Sequence, residues 1–167
     1  MEHLWAPWRL AYVAAPKVPG AEEPCFICRG LGEDDDRANL IVLRTPRSVV
    51  VLNRFPYNNG HLLVAPRAHK GRLDELTPDE LLETMEAVRL LVTVLDGLMH
   101  PDGYNVGLNL GAAAGAGLPG HLHWHVVPRW HGDTNFMPVV SDTRVIVQSL
   151  DALHQLLTQR LSGELEA

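Results

Sequence analysis

From Asn39 to His69 the apolar residues fall in short runs rich in valine, leucine and isoleucine, parted by "TPR" and "FPYNNG". Proline, asparagine and glycine in those breaks form turns, so the runs predict three antiparallel strands near 40–44, 48–53 and 61–66. The period then changes. "LTPDELLETMEAVRLLVTVLDGLMH" opens with Thr77, Pro78 and Glu80, a capping box with proline at the first helical position, and predicts an amphipathic helix to about Met99. After the turn "HPDG", "NVGLNL" predicts a strand, "GAAAGAGLPG" a loop, and "GHLHWHVVPRW", Gly120 to Trp130, a further strand. From about Val147 the leucines of "VQSLDALHQLLTQRLSG" return to helical spacing. A five-stranded antiparallel sheet with one long helix and a C-terminal helix is an α+β fold. No repeat or linker divides the chain, which predicts a single domain over 1–167.

The last strand carries the chemistry. His121, His123 and His125 alternate with Leu122, Trp124 and Val126, which puts the imidazoles on one face and apolar groups on the other. Same-face neighbours on a strand lie about 7 Å apart, close enough to line one ligand site. Three readings stay open: an exposed face, a metal site of neutral imidazoles, or covalent catalysis. In the third, an imidazole with a pKa of about 6.5 offers a lone pair at neutral pH and attacks phosphorus, provided an acceptor fixes the tautomer through the other nitrogen. The preceding loop suits that reading, because Gly111, Gly115, Gly117 and Gly120 let backbone N–H groups approach phosphate oxygens.

Composition narrows the partners. With 46% hydrophobic and 20% charged residues the chain reads as a globular domain, and a net charge of -6 argues against a duplex nucleic-acid binder. A smaller anion needs only a local patch, for which "PRAHKGR" offers Arg67, His69, Lys70 and Arg72. The N-terminus begins acidic and breaks its apolar content with Pro7 and Arg9, unlike a signal peptide. "LLVTVLDGLMH" is interrupted by Asp96 and too short to span a bilayer, so a cytoplasmic protein without membrane contact is expected. In that reducing compartment the only cysteines, Cys25 and Cys28 of "PCFICRG", favour metal binding or redox chemistry over a disulfide. Two thiolates at C-x-x-C spacing fill two corners of a tetrahedral zinc site, with His69 and His121 as candidates for the others.

"HLHWHVV" matches the His-φ-His-φ-His-φ-φ signature of the histidine-triad (HIT) superfamily of nucleotide hydrolases and transferases, and "LNRFPYNNGHLLVAPRAH" resembles its upstream ribose-binding region. The resemblance covers most of 25–138. "LWAPWR" and "HLHWHVVPRWHGDTNFMPV" look like the bacterial branch of diadenosine polyphosphate hydrolases or phosphorylases. It implies a HIT-like fold, a homodimer whose sheets join, and nucleotidyl transfer from a dinucleoside polyphosphate such as diadenosine tetraphosphate. Alternatives are a phosphorylase using inorganic phosphate and a nucleotide- or zinc-binding regulator without turnover. The resemblance makes His123 the nucleophile, gives His125 the phosphate and leaving group, and completes the triad with His121. It assigns Asn53 to the ribose and matches His61 and Asn109 to nucleotide-binding positions. Where many relatives carry Ser, Thr or Gln before the triad, "AGLPG" offers only backbone groups, Gly117 among them. Zinc-bearing relatives, galactose-1-phosphate uridylyltransferases included, imply structural zinc on Cys25, Cys28, His69 and His121.

Overall fold

In the computed structural model, residues 25–134, 146 and 148–165 are described, so the "LWAPWR" segment and all of "NFMPV" lie outside them. Five strands form one antiparallel sheet in the order β1-β2-β3-β5-β4: β1 Ile41–Arg44, β2 Ser48–Leu52, β3 Leu62–Pro66, β4 Gly103–Leu108 and β5 Trp124–Arg129. Among the described residues three α-helices accompany it: α1 Phe26–Gly32, α2 Pro78–Met99 and α3 Leu150–Leu165. No helix among the described residues is long and apolar enough to cross a membrane.

The long helix begins as its sequence predicts. Thr77 accepts from the Glu80 N–H, and the Glu80 carboxylate accepts from the Thr77 N–H at 2.7 Å. It ends at His100, whose left-handed φ of 47° is followed by Pro101, a residue that cannot continue a helix.

Strand alternation sorts the sheet into two faces. Val50, Leu52, Leu62, Val64, Trp124 and Val126 pack beneath Leu91 and Leu95 of α2 and Leu153, Leu157 and Leu161 of α3. Each such buried side chain contributes about 1.5–3 kcal/mol, which makes this face the principal core. On the opposite face Ile41, Val49, Val51 and Ala65 meet Ile27 of α1 in a smaller core. The face left to the histidines is therefore backed by a rigid, fully packed layer.

Two expected boundaries move. The histidine strand is shorter than 120–130: Trp124 pairs with Val64 and Leu108, but His121, Leu122 and His123 lie outside the ladder. There the Leu122 N–H donates to the Lys70 carbonyl at 2.7 Å, and His121 Nε2–H to the Pro66 carbonyl at 2.8 Å. Side-chain and loop bonds replace strand pairing. The strand before it starts at Gly103 and ends at Leu108, because Gly103 already pairs with Arg129, so Asn109 and Leu110 belong to the loop. Helix α1 was not expected; the C-x-x-C itself starts it, with Cys25 capping through its Sγ, which accepts from the Cys28 N–H.

Candidate active site

The three triad histidines share one face, and the fold holds His121 through Nε2 but His123 and His125 through Nδ1. His123 Nδ1–H donates to the His121 carbonyl at 2.8 Å, so its Nε2 carries the lone pair. His121 is bound the other way round: its Nε2–H donates to the Pro66 carbonyl, and Nδ1 is left as the acceptor.

His125 receives its tautomer from a relay. The Tyr57 N–H donates to His61 Nδ1 at 3.0 Å, and a backbone amide can only donate. His61 therefore holds its proton on Nε2 and donates it to His125 Nδ1 at 2.9 Å. His125 in turn carries its proton on Nε2, as a donor. The Tyr57 ring lies over His125 with centroids 5.7 Å apart and 21° between planes. This role of Tyr57 escapes sequence reading, because it rests on a main-chain amide; its only sequence trace is the aromatic in "FPYNNGH".

Neutral imidazoles make the relay possible. Burial, with the His125 and His123 rings adding to it, lowers the His61 pKa to about 3, and burial followed by His123 lowers that of His125 to about 4. Burial likewise lowers His121 and His123. At neutral pH the cluster is uncharged, with His125 Nε2–H as a donor and a lone pair on His123 Nε2.

The other expected residues are placed less uniformly. Asn53 stands beside His61, its Nδ2 3.2 Å from His61 Nδ1, and its Oδ1 accepts from the Phe55 N–H at 3.0 Å. Asn109 is half-buried just past β4, and Gly117 is exposed on the loop after the turn Ala112–Ala114. The basic segment does not gather as a patch. Lys70 pairs with Glu80 at 2.7 Å, Arg72 with Asp74 at 2.9 Å, and Arg67 donates to the Thr45 carbonyl. Arg129, a second candidate for anion binding, donates through Nε and Nη2 to Asp133 and through Nη1 to Asn105. Asp133 also accepts from Asn58 Nδ2 at 2.8 Å, and the Arg129 guanidinium together with its other donors holds its carboxyl near a pKa of about 2. This network pins the loop that carries Asn53, Tyr57 and His61 to the end of β5.

At the opposite end of the triad, Cys25, Cys28, His69 and His121 each offer one ligand atom, all within 4.8 Å of one another. Cys25 Sγ lies 3.2 Å from His121 Nδ1, and Cys28 Sγ lies 3.1 Å from His69 Nδ1 and 3.5 Å from His121 Nδ1. A tetrahedron with metal–sulfur bonds of about 2.3 Å and metal–nitrogen bonds of about 2.0 Å has sulfur–nitrogen edges of about 3.5 Å, so the set fits a metal ion. Burial and the neighbouring Cys25 push the Cys28 thiol up to about 11.

A triad of this geometry defines a class, and comparison agrees: residues 35–132 match the HIT domain, and the chain belongs to that family. A Mycobacterium tuberculosis protein named AP-4-A phosphorylase is 38% identical over 94% of this chain and 83% of its own length. The Schizosaccharomyces pombe bis(5'-nucleosyl)-tetraphosphatase (asymmetrical) is 34% identical over 74% of this chain and 68% of its own. Among solved structures, a Zn-bound histidine triad family protein from Mycobacterium smegmatis superposes with a TM-score of 0.62 at 25% identity, over 76% of this chain and 86% of that one.

Proposed function

We propose that this chain, read as one HIT-like domain over 1–167 with its core at about 25–138, is an enzyme that transfers a nucleotidyl group from a dinucleoside polyphosphate such as diadenosine tetraphosphate. The carrying observation is the fixed His123 tautomer, with Nδ1–H on the His121 carbonyl and Nε2 free to attack. In the first step a bond forms between His123 Nε2 and the α-phosphorus, the bond to the bridging oxygen breaks, and His125 Nε2–H donates to the departing polyphosphate. In the second step water or inorganic phosphate attacks phosphorus, gives its proton to His125 Nε2, and releases His123. Asn53 holds the ribose hydroxyls, exchanging its present bonds for them, while Asn109 and backbone N–H groups near Gly117 meet the phosphates. His61 holds His125 in the required tautomer.

Both named relatives are consistent with this first step, and the greater identity to the phosphorylase favours phosphate as the second acceptor. Product analysis of diadenosine tetraphosphate turnover tests the reading. ATP is expelled in the first step whatever follows, so ATP with ADP is expected in phosphate and ATP with AMP in its absence. ADP alone without phosphate overturns attack at the α-phosphorus, and no turnover by purified protein favours a binding role.

Zinc is the metal that best suits two thiolates and two imidazoles, and Cys25, Cys28, His69 and His121 would hold it. It would act as a structural tie, fastening α1 to the segment before β5, while His121 presents Nδ1 to the ion and its carbonyl to His123. Thiols kept free for metal suit a reducing cytoplasm. Strand β4 supports a homodimer: it is a sheet edge without a strand partner on its outer side among the described residues, and Val106 on it is 46% exposed. Sedimentation of the purified chain at twice the monomer mass is the expected result.

A further inference from the structure

The loop before the histidines walls a second concavity. A cleft of about 590 Å³ opens between the segment at Leu73 and the two ends of the glycine and alanine loop, with Leu110 and Pro119 opposite. Leu73 and Leu110 are 40% and 48% exposed, although both are large and apolar. Arg72 and Asp74 supply the charged lining and are joined by two hydrogen bonds of 2.9 Å. The cleft adjoins the catalytic segment: a Cβ on Gly71 would lie 2.8 Å from the Pro119 carbonyl oxygen, with Gly120 at 3.4 Å.

Strand register fixes where this lies relative to the expected ribose position. Leu62 pairs with Leu52 and Val126, and the Asn53 N–H donates to the His61 carbonyl, so Asn53 and His61 stand level with Val127. Gly120 is seven residues back along the chain from Val127. At about 3.3 Å per extended residue the cleft begins up to about 23 Å from Asn53, with His125 and then His123 between. A chain of several phosphates can bridge a span of that order.

We propose that the cleft is the subsite for the leaving nucleoside of the dinucleoside polyphosphate. Its base fits between Leu73 and Leu110, which gain by being covered, and the Asp74 carboxylate accepts from its ribose hydroxyls while Arg72 holds it in place. This deepens the proposed function and rests on the first nucleoside lying at Asn53.

The test compares diadenosine tetraphosphate with adenosine 5'-(4-nitrophenyl phosphate), which presents the same adenylyl group but no second nucleoside. Leu73→Asp and Leu110→Asp, both at exposed positions, are expected to lower kcat/KM for the tetraphosphate about tenfold through KM, the size of losing one apolar contact. Both should turn over the nitrophenyl ester at the wild-type rate. Wild type should prefer the tetraphosphate over diadenosine diphosphate, and the variants should level that preference. Equal losses on both substrates, or full retention on the tetraphosphate, overturn the subsite alone. Wild-type protein that cleaves neither substrate overturns the parent reading, and the subsite with it.

Discussion

His121 and His123 sit two residues apart on the same face of one segment, yet the fold prepares them for opposite tasks. His121 spends its Nε2–H on the Pro66 carbonyl and turns Nδ1 to two sulfurs, while His123 spends its Nδ1–H on the His121 carbonyl and keeps Nε2. Chemical identity is the same; the backbone carbonyl each ring reaches decides which of its nitrogens keeps the lone pair. The two centres also share an atom path, since the residue that faces the thiols presents the carbonyl that orients His123.

The largest effect should separate the two. His123→Ala is expected to lower turnover by about 10³ or more while nucleotide affinity stays within a few-fold, because the proposed ribose and phosphate contacts lie on other residues. Steady-state kinetics beside equilibrium nucleotide binding read both, and near-native turnover would remove the covalent mechanism. At the other centre, Cys28→Ser should drop the metal content from near one zinc per chain and lower Tm by about 10 °C. Metal analysis and calorimetry check this, and an unchanged Tm in metal-free protein would show that the four side chains hold no structural ion.

A smaller effect tests the relay that the cysteine cluster lacks. His61→Gln should lower kcat about 10- to 100-fold with little change in KM, since His125 loses the donor that fixes its proton on Nε2. Long-range proton–nitrogen spectra of the wild type should show Nε2–H for His61, His121 and His125 and Nδ1–H for His123. A reversed tautomer at His123 would refute its assignment as nucleophile.

Smaller still is the effect of pH on stability. His61 titrates at 6.5 when exposed in the unfolded chain and at about 3 in the folded one. Between those values the unfolded chain binds the extra proton, so stability is complete above about 6.5 and falls as pH drops toward 3. His61→Gln should flatten part of that fall in a series of denaturant titrations, and an unchanged slope would mean that His61 is not buried as a neutral ring.

Much of this was legible in the chain. The capping box at Thr77, the valine-rich runs and the alternating histidines are local patterns, and local backbone preference and strand periodicity act over a few residues. So the long helix, five strands and the common face of the triad could be read directly. The C-x-x-C was readable as half of a ligand set from residue type and spacing, and the family resemblance implied His69 and His121 for the rest. Their convergence to within 4.8 Å required the sheet to bring Cys25 and His121 together, 96 residues apart.

Tertiary structure alone decided the rest. Helix α1 carries too few residues for periodicity to declare it, and it exists because Ile27 finds the small core over Val49 and Val51. Lys70, Arg72 and Arg129 pair with Glu80, Asp74 and Asp133, and residue type and spacing do not say which neighbouring carboxylate each cation will meet. The tautomers belong here above all. They depend on which main-chain N–H or C=O stands within 3.0 Å of each ring nitrogen, and the backbone is the same at every position of a sequence until folding gives each amide and carbonyl an address.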